Sequence, residues 1–335
     1  MTEFSHIFVS LVPVFVFLTG LIFLDSYKLV RFVAVIEAVV VGAGVALGCL
    51  FLNGWLAERL ALKSVLFSRY VAPVVEESLK AVYLVYLIRR KKVGFMVDAA
   101  IYGCGVGAGF ALVENLYYLR ALSETNILLW IVRGFGTAIM HGGTTAIFGM
   151  ISKNLSERKT WDGVLVFLPG LAFAVILHSA FNHFILPPVV TTVSLLIFLP
   201  LLVVVVFERS ESATRRWLGV GFDTDVELLE ILTRGKISQT RVGRYLESLK
   251  ASFPGEVVAD MLCLLRVHLE LAIRAKGILL LRETGFKAEA DPEIKAKFHE
   301  LRYLEKSIGK TGRLALLSFL HLNSRDLWQL YMLGK

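Results

Sequence analysis

Two adjacent carboxylates stand in the middle of an otherwise apolar stretch, in the run Pro73-Val74-Val75-Glu76-Glu77-Ser78-Leu79-Lys80. Lys80 follows Glu76 by four residues and Glu77 by three, so on a helix it shares a face with them and can neutralise one carboxylate. The second acid then stays available, and the two titrate as a linked pair suited to general base and acid work. Further polar groups recur downstream: Glu114-Asn115, His141 within Met140-His141-Gly142-Gly143-Thr144-Thr145, and His178 with Asn182 one turn on. These are the parts of a hydrolase. A glutamate could take a proton from water, and a histidine or Asn182 could donate to the oxyanion that develops on the attacked carbonyl. His141, His178 and a carboxylate also have the composition of a zinc site with an open position for water. At this level both chemistries stand. No GxSxG, no HExxH and no pair of catalytic aspartates occurs, so serine, common soluble zinc and aspartyl hydrolases receive no support.

The elements that hold these groups must lie in lipid. Of 335 residues, 56% are apolar and 19% charged, against roughly 45–50% and about 25% in soluble domains. That excludes secreted, disordered and nucleic-acid-binding classes. The net charge of +8 sits partly beside apolar runs, where basic residues act as topology signals. Cys49, Cys104 and Cys263 show no paired spacing, so neither a disulfide framework nor a thiolate zinc site is expected.

Composition shifts near residue 208. Residues 1–207 hold 15 Lys/Arg and 11 Asp/Glu, and the shorter remainder holds 21 and 17. A helix needs about 20 apolar residues to cross a bilayer core, and seven stretches qualify: 6–24, 30–52, 65–88, 94–119, 127–151, 163–185 and 188–207. The first lacks a basic leader and a small-residue cleavage site and is expected to remain as a membrane helix. Lys28 and Arg31, Arg89 to Lys92, Lys153 with Arg158 and Lys159, and Arg209 with Arg215 and Arg216 follow the odd-numbered spans. This basic bias places the N-terminus outside and the tail in the cytoplasm. Segment 53–64 reads as an outer loop that admits a short interfacial amphipathic helix. The fold class is therefore all-α: a polytopic bundle of about seven spans (1–207) followed by a soluble, all-helical C-terminal domain (208–335).

A charge at membrane depth is costly, so each ionisable residue inside a span is a functional-site candidate. At 1.5 Å per residue from the expected cytoplasmic ends, Glu76 and Glu77 lie about 17–18 Å deep, His141 about 15 Å and His178 about 23 Å. Glu114 falls at about 30 Å by the same rise, outward of the others. Glycines 103, 105, 107 and 109 precede it and allow helix backbones to approach closely.

Taken in order, Glu76-Glu77-x-x-Lys80, Phe110-x-x-x-Glu114-Asn115, His141 and His178-x-x-x-Asn182 resemble the motifs of the PrsW-type intramembrane proteases. These are similar in turn to the CAAX prenyl endopeptidases and the bacterial CPBP proteins. The resemblance covers roughly residues 65–186. It implies a multi-pass peptidase, in the bacterial inner membrane, that cleaves membrane-associated substrates, with site-1 cleavage of an anti-sigma factor as the family's associated reaction. Carried over by position, Glu76 and Glu77 are the activating carboxylates, aided by Lys80. Glu114, His141 and His178 surround the water or a Zn2+ ion, and Asn182 assists at the oxyanion. Glu114 departs from the CAAX relatives, which carry histidine there. The metal and metal-free mechanisms both remain open.

The tail shows helical periodicity at 225–232, 241–249, 257–281, 294–308 and 314–333. The run 257–281 is strongly apolar, but Asp260, Arg266, Glu270, Arg274 and Lys276 recur through it, which favours a helix of a soluble domain over an eighth span. The expected partners are a membrane protein or peptide substrate, the lipid bilayer, and a cytoplasmic protein for the tail, with no nucleic acid. Two other functions fit parts of the pattern: a proton- or ion-coupled transporter, and a non-catalytic signalling scaffold. The lack of a duplicated polar motif in two halves weighs against the transporter.

Overall fold

In the computed structural model the described residues are 30–121, 127–157, 163–183, 187–283 and 291–320, with a few isolated positions besides. They are helical, with no strand among them. The chain separates into two compact units, Met1–Ser210 and Glu211–Lys335. The expected span at 6–24 lies for the most part outside the described residues.

The first unit contains α1 (Phe32–Leu60), α2 (Ala72–Arg89), α3 (Met96–Ala121), α4 (Ile127–Glu157), α5 (Leu168–Asn182) and the beginning of α6 (Pro188–Thr233). Helices suit an apolar surrounding because each satisfies its backbone polar groups internally. Pro73 and Pro169 stand at the first turns of α2 and α5, where a missing N–H costs nothing. Asp98 caps the start of α3, its Oδ2 accepting from the N–H groups of Gly94 and Phe95 at 2.7 and 3.2 Å.

The central helix is α3, packed between α1 and α4. The alternating glycines explain how. Gly103 and Gly107 face α4, where an added Cβ would lie 2.6 Å from Ala146 Cα and 2.2 Å from His141 O. Gly105 and Gly109 face α1, with clearances of 2.9 Å to Ala38 Cβ and 1.9 Å to Val39 O. One glycine run thus seats two helices on opposite sides of α3, the small-residue packing that replaces hydrophobic drive between helices in lipid. Val35, Leu84, Ile101, Val106, Ile139 and Phe148 fill the core around it.

Among the described residues, three helical segments are both long and apolar enough to cross a membrane: Phe32–Leu60, Met96–Leu119 and Leu165–Asn182. The expected spans 30–52, 94–119 and 163–185 correspond to these, and 65–88 is not among them. On α2 the reason is Glu76, Glu77, Lys80 and Arg89, which break the apolar run. Helix ends also differ. Rather than stopping at residue 52, α1 continues to Leu60 and ends at Ala61 in a left-handed conformation, so 53–60 is neither loop nor separate interfacial helix. Likewise α4 reaches Glu157, and α6 runs unbroken through residue 208.

The second unit contains the end of α6, then α7 (Arg241–Leu249), α8 (Gly255–Glu283) and α9 (Pro292–Leu320). Thr240 caps α7 by accepting from Gly243 N at 3.1 Å. Met261, Leu264, Leu271, Leu304, Ile308 and Leu316 form its core. The helix expected at 294–308 and the first part of that expected at 314–333 join at Gly309, whose φ of 66° and ψ of −177° bend the chain where only glycine is at ease, and 321–332 lies outside the described residues. Among the described residues α8 is not one of the helices long and apolar enough to cross a membrane. Its Lys276 is buried, bonded to Asp225 Oδ2 at 2.6 Å and lying 5.2 Å from the Trp217 ring centre.

Candidate active site

The polar residues singled out on α2, α3, α4 and α5 converge. Glu77, Lys80, His141 and His178 are each at most 2% exposed. Glu77 Oε1 is the hub: it accepts from Lys80 Nζ at 2.6 Å, from His178 Nδ1 at 2.8 Å and from Thr144 Oγ1 at 3.2 Å. Lys80 Nζ also lies 3.0 Å from His141 Nδ1 and 4.7 Å from the Phe110 ring centre. An ammonium so enclosed is tolerable because a carboxylate, an imidazole and an aromatic face surround it.

The two adjacent glutamates divide. A cavity of about 500 Å³ is lined by Glu76, Glu114, His178 and Asn182, with Glu77 outside the lining. Consecutive helical positions point about 100° apart, so Lys80 pairs with the inward Glu77 and the cavity receives Glu76. Glu76 Oε1 accepts from Asn53 Nδ2 at 3.0 Å, and its Oε2 lies 3.8 Å from His178 Nε2. With Nδ1–H given to Glu77, His178 presents the lone pair of Nε2 on the Glu76 side.

Glu114 lies in the same layer, 2.5 Å from His141 Nε2, rather than outward of it. The helix ends account for the difference. Counted from Glu157 instead of 151, His141 is about 24 Å along its helix, against about 27 Å for Glu114 from Met96. Each imidazole is therefore held by a carboxylate, His178 by Glu77 and His141 by Glu114, and the two rings meet edge to face at 5.0 Å. Asn115 accepts from Thr137 Oγ1 at 2.9 Å.

Asn182 lines the cavity, and its Nδ2 donates to Ser68 O at 2.8 Å. An amide carries two N–H bonds, so one remains to give. Ser68 belongs to a π-helical turn, Phe67–Val71, which leads into α2. Such turns release carbonyls from the helical ladder, and Asn182 and Ser179 of α5 take up two of them, Ser179 Oγ donating to Arg69 O at 2.6 Å.

The metal-capable group among the described residues is Glu76, His141 and His178, one ligand atom of each lying within 4.8 Å of the others. The expected trio had Glu114 in place of Glu76. Two imidazoles and a carboxylate are the donor set of many catalytic zinc sites, where ligand atoms sit roughly 3.3 Å apart around the ion. Ordinary side-chain adjustment closes that gap, and Glu77 behind His178 supplies the outer-shell hydrogen bond that a ligating histidine requires. The group fits a zinc-type ion, with one adjustment: both ring nitrogens of His141 are engaged, by Lys80 and by Glu114, and one bond must yield.

A model of the PrsW family intramembrane metalloproteases matches residues 30–206, more than half of the chain. The chain belongs to the PrsW family. It is accordingly a membrane protein carrying a membrane-protease domain, a peptidase in class. The matched range takes in all of α1, beyond the motif-bearing 65–186, and so includes Asn53, which reasoning from sequence overlooked. The signal was a lone amide at the end of a long apolar run. Comparison with the curated proteins and with the solved structures gives no match.

Proposed function

We propose that this PrsW-family protein hydrolyses a peptide bond of a membrane-embedded substrate in the cavity lined by Glu76, Glu114 and His178. The supporting observation is that these three open onto one cavity of about 500 Å³ while Glu77, outside its lining, holds the His178 imidazole. Glu76, His141 and His178 would hold a zinc-type ion, which would supply Lewis-acid activation when bound. Glu114 takes the water's proton as the new C–O bond forms. The free N–H of Asn182 donates to the developing oxyanion. The C–N bond then breaks, and the proton held at Glu114 passes to the leaving amine, giving a carboxylic acid and an amine. Glu77 keeps His178 in place, and Lys80 balances the charge of Glu77.

One observation favours a second reading without a metal. With both nitrogens of His141 already bonded, Glu76 is the cavity carboxylate with room to act as the general base. The two separate on cleavage of a single-span substrate by purified protein in liposomes. The metal reading requires Glu114→Gln to retain zinc but lose activity, Glu76→Gln to lose both, and chelation to abolish cleavage. Cleavage surviving chelation while Glu76→Gln is inactive selects the second reading; full activity in both variants refutes each.

For topology we propose seven spans with the N-terminus outside and residues 208–335 in the cytoplasm of a bacterial inner membrane. This follows the basic residues after alternate apolar runs. Substrates of the anti-sigma-factor type form the first panel to test, and the tail is read as a docking module for a cytoplasmic partner. The similarity to CAAX endopeptidases rests on the same motif order.

A further inference from the structure

Asn53 stands on a helix that carries no charge in contact with the site, yet it supplies the one hydrogen bond made to Glu76 among the described residues, Nδ2 to Oε1 at 3.0 Å. Glu77 has three such partners. The unequal support matters because Glu76 is the carboxylate that faces the cavity. With Oε1 held by Asn53, Oε2 is turned toward His178 Nε2, 3.8 Å away.

Three features fix the amide there. Ala46, Cys49, Leu50 and Asn53 follow helical spacing and all line the cavity, so one face of α1 forms a wall of the site. Upstream, α1 is locked on α3 at Gly42 and Gly109, where an added Cβ would lie 1.9 Å from Val106 O and 1.9 Å from Val39 O. The helix then runs without interruption to Leu60, carrying Asn53 about 16 Å beyond Gly42. Finally, Asn53 Oδ1 is buried and has no hydrogen-bond partner among the described residues. A side chain kept only for packing would avoid that cost, and an isosteric leucine would avoid it at once. An amide does what a charged partner could not: it orients a carboxylate without adding another charge to the interior.

We propose that Asn53 is a positioning residue for the reaction, holding Glu76 in the orientation that His178 and the substrate require. This rests on the reading of the cavity given under Proposed function. The experiment compares wild type, Asn53→Leu, Asn53→Asp and, as a control on the open side of the same helix, Gly44→Ala, which meets nothing within 4 Å. Turnover of a single-span substrate in liposomes, thermal midpoint, and the chelator concentration that strips zinc are measured together.

Loss of an outer-shell partner costs about 10- to 100-fold in activity or metal affinity. Asn53→Leu is therefore expected to lower kcat, or the chelator concentration, at least tenfold. KM stays within twofold and the thermal midpoint does not fall. Asn53→Asp keeps the size but removes the donor, and it is expected to do the same if the leucine variant does not fold. Wild-type turnover and zinc retention in both variants overturn the proposal, as does a loss that only tracks a falling thermal midpoint. A wild-type protein that neither cleaves nor retains zinc overturns the reading of the site itself, a result distinct from active variants beside an active wild type.

Discussion

Gly107→Ala isolates the demand that helix packing makes on the site. The new Cβ would lie 2.2 Å from His141 O, 2.4 Å from His141 C and 2.5 Å from Gly142 N. All three are backbone atoms, so no side chain can swing aside. Carbon contacts settle near 3.5–4.0 Å, and α4 must retreat from α3 by about 1 Å or more at the very residue that carries the imidazole. Overpacking of this kind costs about 1–3 kcal/mol, of which the better helix propensity of alanine returns about 1 kcal/mol. Stability should therefore fall modestly. Activity should fall more, since displacement of a reacting group by about 1 Å costs roughly 100-fold. Gly48→Ala, with nothing within 4 Å, is the matched control and should retain wild-type turnover. The assay is kcat in liposomes beside the thermal midpoint in detergent. Turnover of Gly107→Ala within twofold of wild type would refute the claim that this contact sets the position of His141.

Two further outcomes follow from the ion pairs and the buried histidine. Glu77→Gln strands the buried ammonium of Lys80, and breaking such a pair costs about 3–5 kcal/mol. The double variant Glu77→Gln/Lys80→Met should recover much of the thermal midpoint without recovering cleavage, and equal midpoints for single and double variants would contradict the pairing. In α8, burial and the neighbouring charge of Lys276 push the His268 imidazole down to about 4. The unfolded chain, titrating near 6.5, then binds the proton first. Stability of this helix is complete above about pH 6.5, declines as pH falls toward 4, and loses up to about 3 kcal/mol in all. Hydrogen exchange across residues 255–283 of the whole protein should show that decline, and His268→Leu should flatten it; an unchanged slope would rule out His268 as its source.

Much of the site was legible because charge and imidazole are expensive inside apolar helices, so Glu76, Glu77, Lys80, Glu114, His141 and His178 stood out from their surroundings. The structure brings these six within one cluster. Their division of labour was not legible. Which of Glu76 and Glu77 meets the cavity depends on where α5 delivers His178, a contact 101 residues away in sequence. Glu114 was misplaced in depth because helix ends carry no strong signal in a continuous apolar run. Its pairing with His141 needed the true end of α4 at Glu157. The glycine run announced close packing, but its service to two helices at once follows from the 100° step between residues and from neighbours on both sides. Asn53 was hidden because an uncharged amide near an expected helix end looks like ordinary loop chemistry. Length and composition alone do not single out α2 as a span, because the residues that carry its chemistry are charged.

The most direct test of the central claim is the mass of the products. Purified protein in liposomes, given a single-span substrate in water enriched in oxygen-18, should yield two fragments whose masses sum to substrate plus one labelled water, with the label in the new carboxyl terminus. Glu76→Gln should yield neither fragment. An intact substrate after prolonged incubation with well-folded wild-type protein across the panel, or fragments that persist undiminished in Glu76→Gln, would contradict hydrolysis at this cavity.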